Sequence, residues 1–318
     1  MKIFKRSLVL PAKFLKKIVV PASTSNLGPG FDTLGLAVNK YLTIEAEPSS
    51  DFSIEISGEG SGEIPTGRSN LTAHALLEIL GELPKLKIRI HNEIPSCGGF
   101  GASGAAIVGG LVLGNEFIPQ MGSARGGQEK RSDEEIYNIA IGIEGHPDNV
   151  SAALFGGLIV NARQASGGYS HIKIPVNGSL RFVALLPDSK VETVAARKIL
   201  PASVSLREAV SNVQHSSLLV AAFASGDYGM IGHAIHDELH EKHRKKLIPH
   251  FDDFKETAAE NGALAFTVSG AGSSCIAFSL QDCGRIQGSF EKLIEKLKLN
   301  WRTEILEPVN KGVEILTC

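Results

Sequence analysis

The chain has 318 residues, enough for two domains with their own cores, and its 43% apolar and 21% charged composition excludes a disordered polymer. With 32 basic side chains against 34 acidic ones it has no cationic footprint for nucleic acid or an anionic membrane, which directs the reading to a small-molecule partner. Cys97, Cys275, Cys283 and Cys318 form no CxxC pair, which suits a reducing cytoplasm better than a disulfide or zinc framework.

Residues 1–16 read as an N-terminal extension. Pro11, Lys13, Lys16 and Lys17 interrupt their apolar residues, spoiling both a signal-peptide core and a membrane span. Alternating runs then predict strands at Lys17 to Val20, Tyr41 to Glu47, Phe52 to Ile56 and Leu86 to Ile90, with a long loop between the first two. Helical spacing follows at Asn70 to Leu80, Ser103 to Leu113 and Asp133 to Glu144, the last opened by Ser132 with Glu135 three residues on. The polar, glycine-rich stretch Met121 to Lys130 reads as an exposed loop. Strands are predicted again at Leu158 to Asn161 and Phe182 to Pro187, with a domain boundary near the Gly167-Gly168 turn that divides the chain into 17–168 and 169–318. Helices at Val191 to Leu200, Ser205 to Ser225 and Gly229 to His240, a strand at Leu264 to Ser269 and a helix at Ile286 to Leu297 complete an α+β pattern.

Four glycine-rich or polar motifs carry chemistry. IPSCGGFGASGAA, from Ile94, sets Gly98, Gly99 and Gly101 before small helix-tolerant residues, a loop whose backbone can wrap phosphate at a helix N-terminus. It lacks the Gly-Lys-Ser/Thr of a Walker loop, and although Gly99 to Gly104 fits GxGxxG, the early βαβ setting of a dinucleotide site is missing. SNLGPGFDTLG, from Ser25, can present Asn26 and Asp32 to one ligand, a carboxylate suiting a substrate ammonium. EGHPDN packs Glu144, His146, Asp148 and Asn149 into six residues, and Glu144 suits Mg²⁺, which takes one or two carboxylates together with phosphates and waters. FTVSGAGSSCIAF, from Phe266, is a strand and glycine turn whose backbone can approach a ligand or simply turn. Arg197 and Arg244 could each clamp a carboxylate, although a solvated arginine is the commoner case. HAIHDELHEKH sets His236 and His240 one helical turn apart, near the HExxH zinc spacing, but Asp237 stands where the glutamate belongs, and a solvated histidine-rich helix face is the expected reading.

Taken in order, PASTSNLGPGFDTLGLA, the Gly98 loop, EGHPDNVSAALFGG, PDSKVETVAARKILP and SGAGSS resemble the GHMP small-molecule kinase superfamily, and within it the homoserine kinases. The resemblance implies an α+β, two-domain GHMP kinase fold, with an N-terminal half like ribosomal protein S5 domain 2 and a C-terminal ferredoxin-like α/β sandwich. It implies transfer of the ATP γ-phosphoryl group to the side-chain hydroxyl of L-homoserine, a step of threonine biosynthesis, by a cytoplasmic homodimer. By the same resemblance Asn26, Asp32 and His146 surround the substrate's amino-acid head, Arg197 and Arg244 take its carboxylate, Asn149 orients its hydroxyl, and Thr193 and Gly270 line the pocket. Ser103 and Glu144 would hold Mg²⁺, and Asn70, Pro95, Ser96, Gly98, Gly99, Phe100, Gly101, Ala102, Ser103, Gly104 and Ala105 would bind ATP. The family loop usually reads G-L-G-S-S-A, whereas here it is Gly99-Phe100-Gly101-Ala102-Ser103-Gly104, so the first serine hydroxyl is missing. A kinase for another small hydroxylated metabolite, or a ligand-binding paralogue without catalysis, remains compatible with the same motifs.

Overall fold

The computed structural model describes residues 15–95, 98–119, 129–189, 191 and 193–317. Ser96, Cys97, Cys318, residues 1–14 of the expected extension and most of the Met121 to Lys130 loop lie outside the described residues. Two sheets organise the chain. In the first, β1 (Lys16–Ser25), β2 (Leu34–Pro48), β3 (Ser53–Gly58) and β4 (Leu86–Asn92) lie beside β5 (Leu158–Arg163), β6 (Tyr169–Ile174) and β11 (Glu314–Thr317), in the order β11-β1-β2-β4-β3, with β5 joining β2 and β6 joining β5. The helices α1 (Leu71–Leu80), α2 (Ala102–Phe117), α3 (Asp133–Glu144) and α4 (Asp148–Phe155) complete this half, α2 and α4 lying against β1 and β2. The second sheet has the order β10-β7-β9-β8, from β7 (Arg181–Leu186), β8 (Ala265–Val268), β9 (Cys275–Ser279) and β10 (Arg302–Leu306).

With α10 (Cys283–Leu297) between β9 and β10, and the helical insertion of α5 (Thr193–Lys198), α6 (Leu206–Ser225), α7 (Ile231–Ala234), α8 (Glu241–Arg244) and α9 (Phe251–Glu260) between β7 and β8, this half is the expected ferredoxin-like sandwich. Alternation along β7 gives each face its own core. Val183 and Leu185 join Phe251, Phe254 and Phe290 on the helical side, while Phe182, Ala184 and Leu186 enter the large core shared with the first half. Among the described residues no helix is long and apolar enough to cross a membrane.

The loop expected between Val20 and Tyr41 is much shorter than its composition suggests. A register shift between Pro21 and Ala22 lets β1 continue to Ser25, paired with Gly35, so only 26–33 remain as a loop. Sheet membership changes between Ile174 and Arg181, not at 168/169: β6 pairs with β5, and β11 returns from the end of the chain to β1. The helix α4 is buried on nearly every side and so lacks the polar face that periodicity detects. The helix expected over Gly229 to His240 breaks at Ile235. There the Asp237 carboxylate takes the amides of His240 and Glu241 at 2.7 and 2.6 Å, a local capping arrangement that competes with the helical ladder. His236 and His240 therefore share no helix face, and His240 is buried, not solvated.

Candidate active site

The cleft between the halves is assembled from loop ends. It is lined by Asn26 and Asp32 of the β1–β2 loop, Pro95 and Gly98 to Ser103 of the β4–α2 loop, Glu144, His146, Asp148 and Asn149 around the α3–α4 turn, Thr193 and Arg197 of α5, Arg244 of α8 and Gly270 of the β8–β9 turn.

The β1–β2 loop is held in an uncommon conformation. Asn26, Leu27 and Asp32 have φ of 67, 48 and 53°, left-handed values that non-glycine residues adopt only when their surroundings enforce them. The enforcing contacts converge on Asn26: its Oδ1 accepts from the Asp32 amide at 3.0 Å and its Nδ2 donates to the Gly270 carbonyl at 2.8 Å.

In the β4–α2 loop Gly98, Gly99 and Gly101 have φ of 97, 90 and 66°. Their bareness serves packing as much as ligand approach, since a Cβ at Gly99 would stand 2.4 Å from the Ser269 carbonyl and one at Gly101 2.1 Å from Ser23 Oγ. The Ser274 hydroxyl donates to the Gly98 carbonyl at 2.6 Å and the Ser269 hydroxyl to the Gly99 carbonyl at 2.5 Å. A trans peptide points its N–H opposite to its C=O, so these bonds turn the next two amides away from the β8–β9 turn. The helix α2 then starts without a side-chain cap, its first amides and positive dipole end open to an anion.

Ser103 Oγ donates to Glu144 Oε1 at 2.6 Å. Burial raises the Glu144 pKa despite that hydrogen bond and the nearby His146. His146 is bonded through Nδ1 to Asp148 Oδ1 at 2.7 Å, and its Nε2 stands 4.0 Å from Glu144. Burial pulls its pKa down, but the bond to Asp148 and the charges of Asp148, Glu144 and Asp32 outweigh burial and leave it raised. Asn149 is fixed by β1: its Oδ1 accepts from Ser23 at 2.9 Å and its Nδ2 donates to Ser25 at 3.2 Å.

Arg197 forms a bidentate pair with Asp32, at 2.7 and 2.9 Å, and this bond foremost raises the Arg197 pKa. Arg244, 2% exposed, donates through Nη1 to the Gly270 carbonyl at 2.9 Å. Burial first and the Arg197 charge second lower its pKa.

A second, apolar pocket adjoins the first at Ala102 and Ser103, walled by Leu42, Ile56, Ile64 and Ile90. Asn70 lines it but spends its amide elsewhere, capping α1 through the amides of Thr72 and Ala73 and donating to the Pro65 carbonyl at 2.8 Å. Ala105 departs from expectation: it is fully buried and its amide is bonded to the Gly101 carbonyl at 2.9 Å, which withdraws it from any phosphate. Gly104 lies beneath Asn149, where a Cβ would be 3.2 Å from the Asn149 Cβ. Ser23, Ser25, Phe31, His240, Ser269 and Ser274 escaped the sequence reading as site-building residues. For the four serines the signal available was adjacency to glycine motifs, since small polar residues ending buried strands need partners.

An anion cradle at a helix N-terminus sharing one cleft with a carboxylate and two guanidinium groups, on this pair of sheets, defines a GHMP-type small-molecule kinase. Residues 69–157 match the family described as GHMP kinases N terminal domain and residues 219–302 the one described as GHMP kinases C terminal. The chain belongs to the homoserine kinase family within these ATP-dependent kinases. It is 36% identical to the homoserine kinase of Moorella thermoacetica, over 93% of this chain and 98% of that one, and 39% identical to that of Caldanaerobacter subterraneus, over 94% and 95%. The crystal structure of homoserine kinase from Cytophaga hutchinsonii superposes with a TM-score of 0.81 at 27% identity, covering 97% of this chain and 99% of that one.

Proposed function

We propose that the protein transfers the γ-phosphoryl group of ATP to the side-chain hydroxyl of L-homoserine, giving O-phospho-L-homoserine and ADP. The observation that carries this reading is that Asp32, Arg197 and Arg244 line the same cleft as the Gly98 to Ser103 cradle. A carboxylate and two guanidiniums match the ammonium and carboxylate of an amino acid, whereas a polyol offers neither charge.

In this reading the apolar pocket beside Ala102 takes the adenine, and the loop amides with the α2 N-terminus take the phosphates. Ser103 and Glu144 are the residues that would hold Mg²⁺, because a hydroxyl and a buried carboxylate leave the remaining positions to phosphate oxygens and water. When bound, the ion supplies charge neutralisation on the phosphates. His146, Asn26 and Asp32 receive the amino-acid head, while Thr193 and Gly270 close the wall around it.

Asn149 Nδ2 donates to Ser25 and, at 3.3 Å, to Asp148 Oδ1, and its Oδ1 accepts from Ser23, so the contact left to it is a lone pair on Oδ1 that can accept from the substrate hydroxyl and aim its oxygen. Asp148 Oδ1 already accepts from His146 and from the Asn149 amide at 2.8 Å, which fits a carboxylate that positions its neighbours. The hydroxyl proton then leaves late, toward the phosphate itself. Catalysis rests on positioning and charge neutralisation.

A homodimer suits the exposed apolar row Leu206, Val210 and Val213 along α6, and light scattering of the purified chain measures it. A cytoplasmic setting suits the free, buried thiols of Cys275 and Cys283. The functional test offers purified protein ATP and Mg²⁺ with L-homoserine, L-threonine, L-serine or mevalonate and identifies products by mass. Phosphohomoserine as the main product is expected; turnover of mevalonate without homoserine overturns the reading.

A further inference from the structure

Phe31 belongs to the SNLGPGFD loop but has no part in the roles assigned above. Its ring lies where three cationic or cationisable groups meet: the Arg244 Cζ is 5.2 Å from the ring centroid, the Arg197 Cζ 5.5 Å, and the His240 ring is stacked on it at 5.2 Å and 29°. A guanidinium within about 6 Å of an aromatic centroid is attracted by the electron-rich ring face.

The need for such a surface differs between the two arginines. Arg197 has the Asp32 carboxylate as a bidentate partner and is partly exposed. Arg244 is buried, its Nη1 donates to the neutral Gly270 carbonyl, and its Nε has no partner among the described residues. Two like charges converging on one substrate carboxylate repel each other before it arrives, and the Phe31 ring is the surface both of them contact.

The ring itself is fixed from below. His240 is fully buried, its Nε2 lies 2.8 Å from the Gly28 carbonyl, and its backbone amide is held by Asp237. Burial lowers its pKa, and because a carbonyl can only accept, Nε2 is the ring nitrogen that carries a hydrogen and donates. One segment, 237–244, thus supplies both the imidazole under the ring and the guanidinium beside it.

We propose that Phe31 is a positioning residue for substrate recognition, its ring holding Arg197 and Arg244 together at the carboxylate end of the cleft with His240 fixing the ring. The proposal rests on the reading that the substrate is an amino acid.

The test is steady-state kinetics of the full chain and of Phe31→Leu and Phe31→Tyr, with L-homoserine and with L-2-aminobutane-1,4-diol, in which the carboxylate is reduced to an alcohol. Phe31→Leu is expected to raise the KM for homoserine about tenfold, with kcat and the KM for ATP within about twofold of wild type. Phe31→Tyr keeps the ring face and is expected to restore the homoserine KM. For the diol, kcat/KM should be the same in wild type and Phe31→Leu. A fall in kcat at unchanged KM, an equal loss on the diol, or no rescue by tyrosine overturns the proposal. Should Phe31→Leu fail to fold, Phe31→Met preserves bulk without a ring and is judged by the same outcomes. A wild-type chain that does not turn over homoserine overturns the functional reading, and this proposal with it, before any variant is measured.

Discussion

Asp32 and Arg197, 165 residues apart in sequence, bind each other through two hydrogen bonds at 2.7 and 2.9 Å inside the cleft. Under the proposed function a zwitterionic amino acid divides this pair, offering its ammonium to Asp32 and its carboxylate to Arg197. The two charges are then read jointly, because a ligand bearing only one leaves half of the opened pair unmatched.

This coupling has a measurable form. Both side chains are about a third exposed, so the pair itself contributes ~1 kcal/mol or less to folding, and neither Asp32→Asn nor Arg197→Gln should lower the Tm by more than a few degrees. Each is expected to reduce kcat/KM for homoserine by about 30-fold, about 2 kcal/mol, while the double variant loses less than the product of the two. Multiplicative losses in the double-mutant cycle would show that the groups act independently.

The bond from Ser103 to Glu144 ties the start of α2 to the end of α3 and acts on the pH profile. Burial raises the Glu144 pKa, and the Ser103 hydrogen bond opposes that rise. If the ionised carboxylate is the active form, activity climbs with pH through this raised value. Ser103→Ala removes the opposing bond, so the acidic limb should move to higher pH, with kcat down about 100-fold and the homoserine KM nearly unchanged. Arg197→Gln should do the reverse, raising KM and leaving the limb in place. An unmoved limb in Ser103→Ala contradicts the pairing.

Much of the architecture is legible in the sequence because it is local. The Ser132 and Ser205 capping boxes form as their residue types demand, and the glycine loop does precede a helix. The four motifs converge on one cleft, which the sequence supports through resemblance and not through spacing. What escaped depends on partners distant in the chain. The helix α4 has no polar face to betray it, and β6 and β11 owe their sheet to β5 and β1. His240 looks like one of several solvated histidines until the Gly28 carbonyl and the Phe31 ring are seen against it.

His146 makes stability depend on pH in a predictable direction. Its pKa is raised in the folded chain, mainly by the bond to Asp148 acting against burial, so the folded state holds the proton more tightly than the unfolded one. The resulting stabilisation is complete below the ordinary histidine value of about 6.5 and disappears as pH rises through the raised value. Thermal melts should therefore show wild type ahead of His146→Gln at pH 6, with the gap closing on the alkaline side. Asp148→Asn should remove the same dependence and lower activity without deleting the acidic limb of the activity profile, since Asp148 positions His146 and Asn149. Loss of a limb on that substitution would instead make Asp148 the general base.

The Gly98 and Gly99 carbonyls accept from Ser274 and Ser269, so the orientation of the phosphate loop is set by hydroxyls from the other half of the molecule. The loop lacks the usual first serine, having Ala102, and depends the more on its amides being aimed correctly. A neutral hydrogen bond of this kind contributes about 1 kcal/mol, so Ser274→Ala should raise the KM for ATP about fivefold with the homoserine KM unchanged. Gly99→Ala is far harsher, because φ of 90° is unfavourable for alanine and its Cβ would stand 2.4 Å from the Ser269 carbonyl. That variant should lose measurable ATP binding by calorimetry, and Ala102→Ser should tighten it by offering the phosphates one more hydroxyl. An ATP affinity indifferent to Ser274→Ala would mean that the loop holds its shape without the second half.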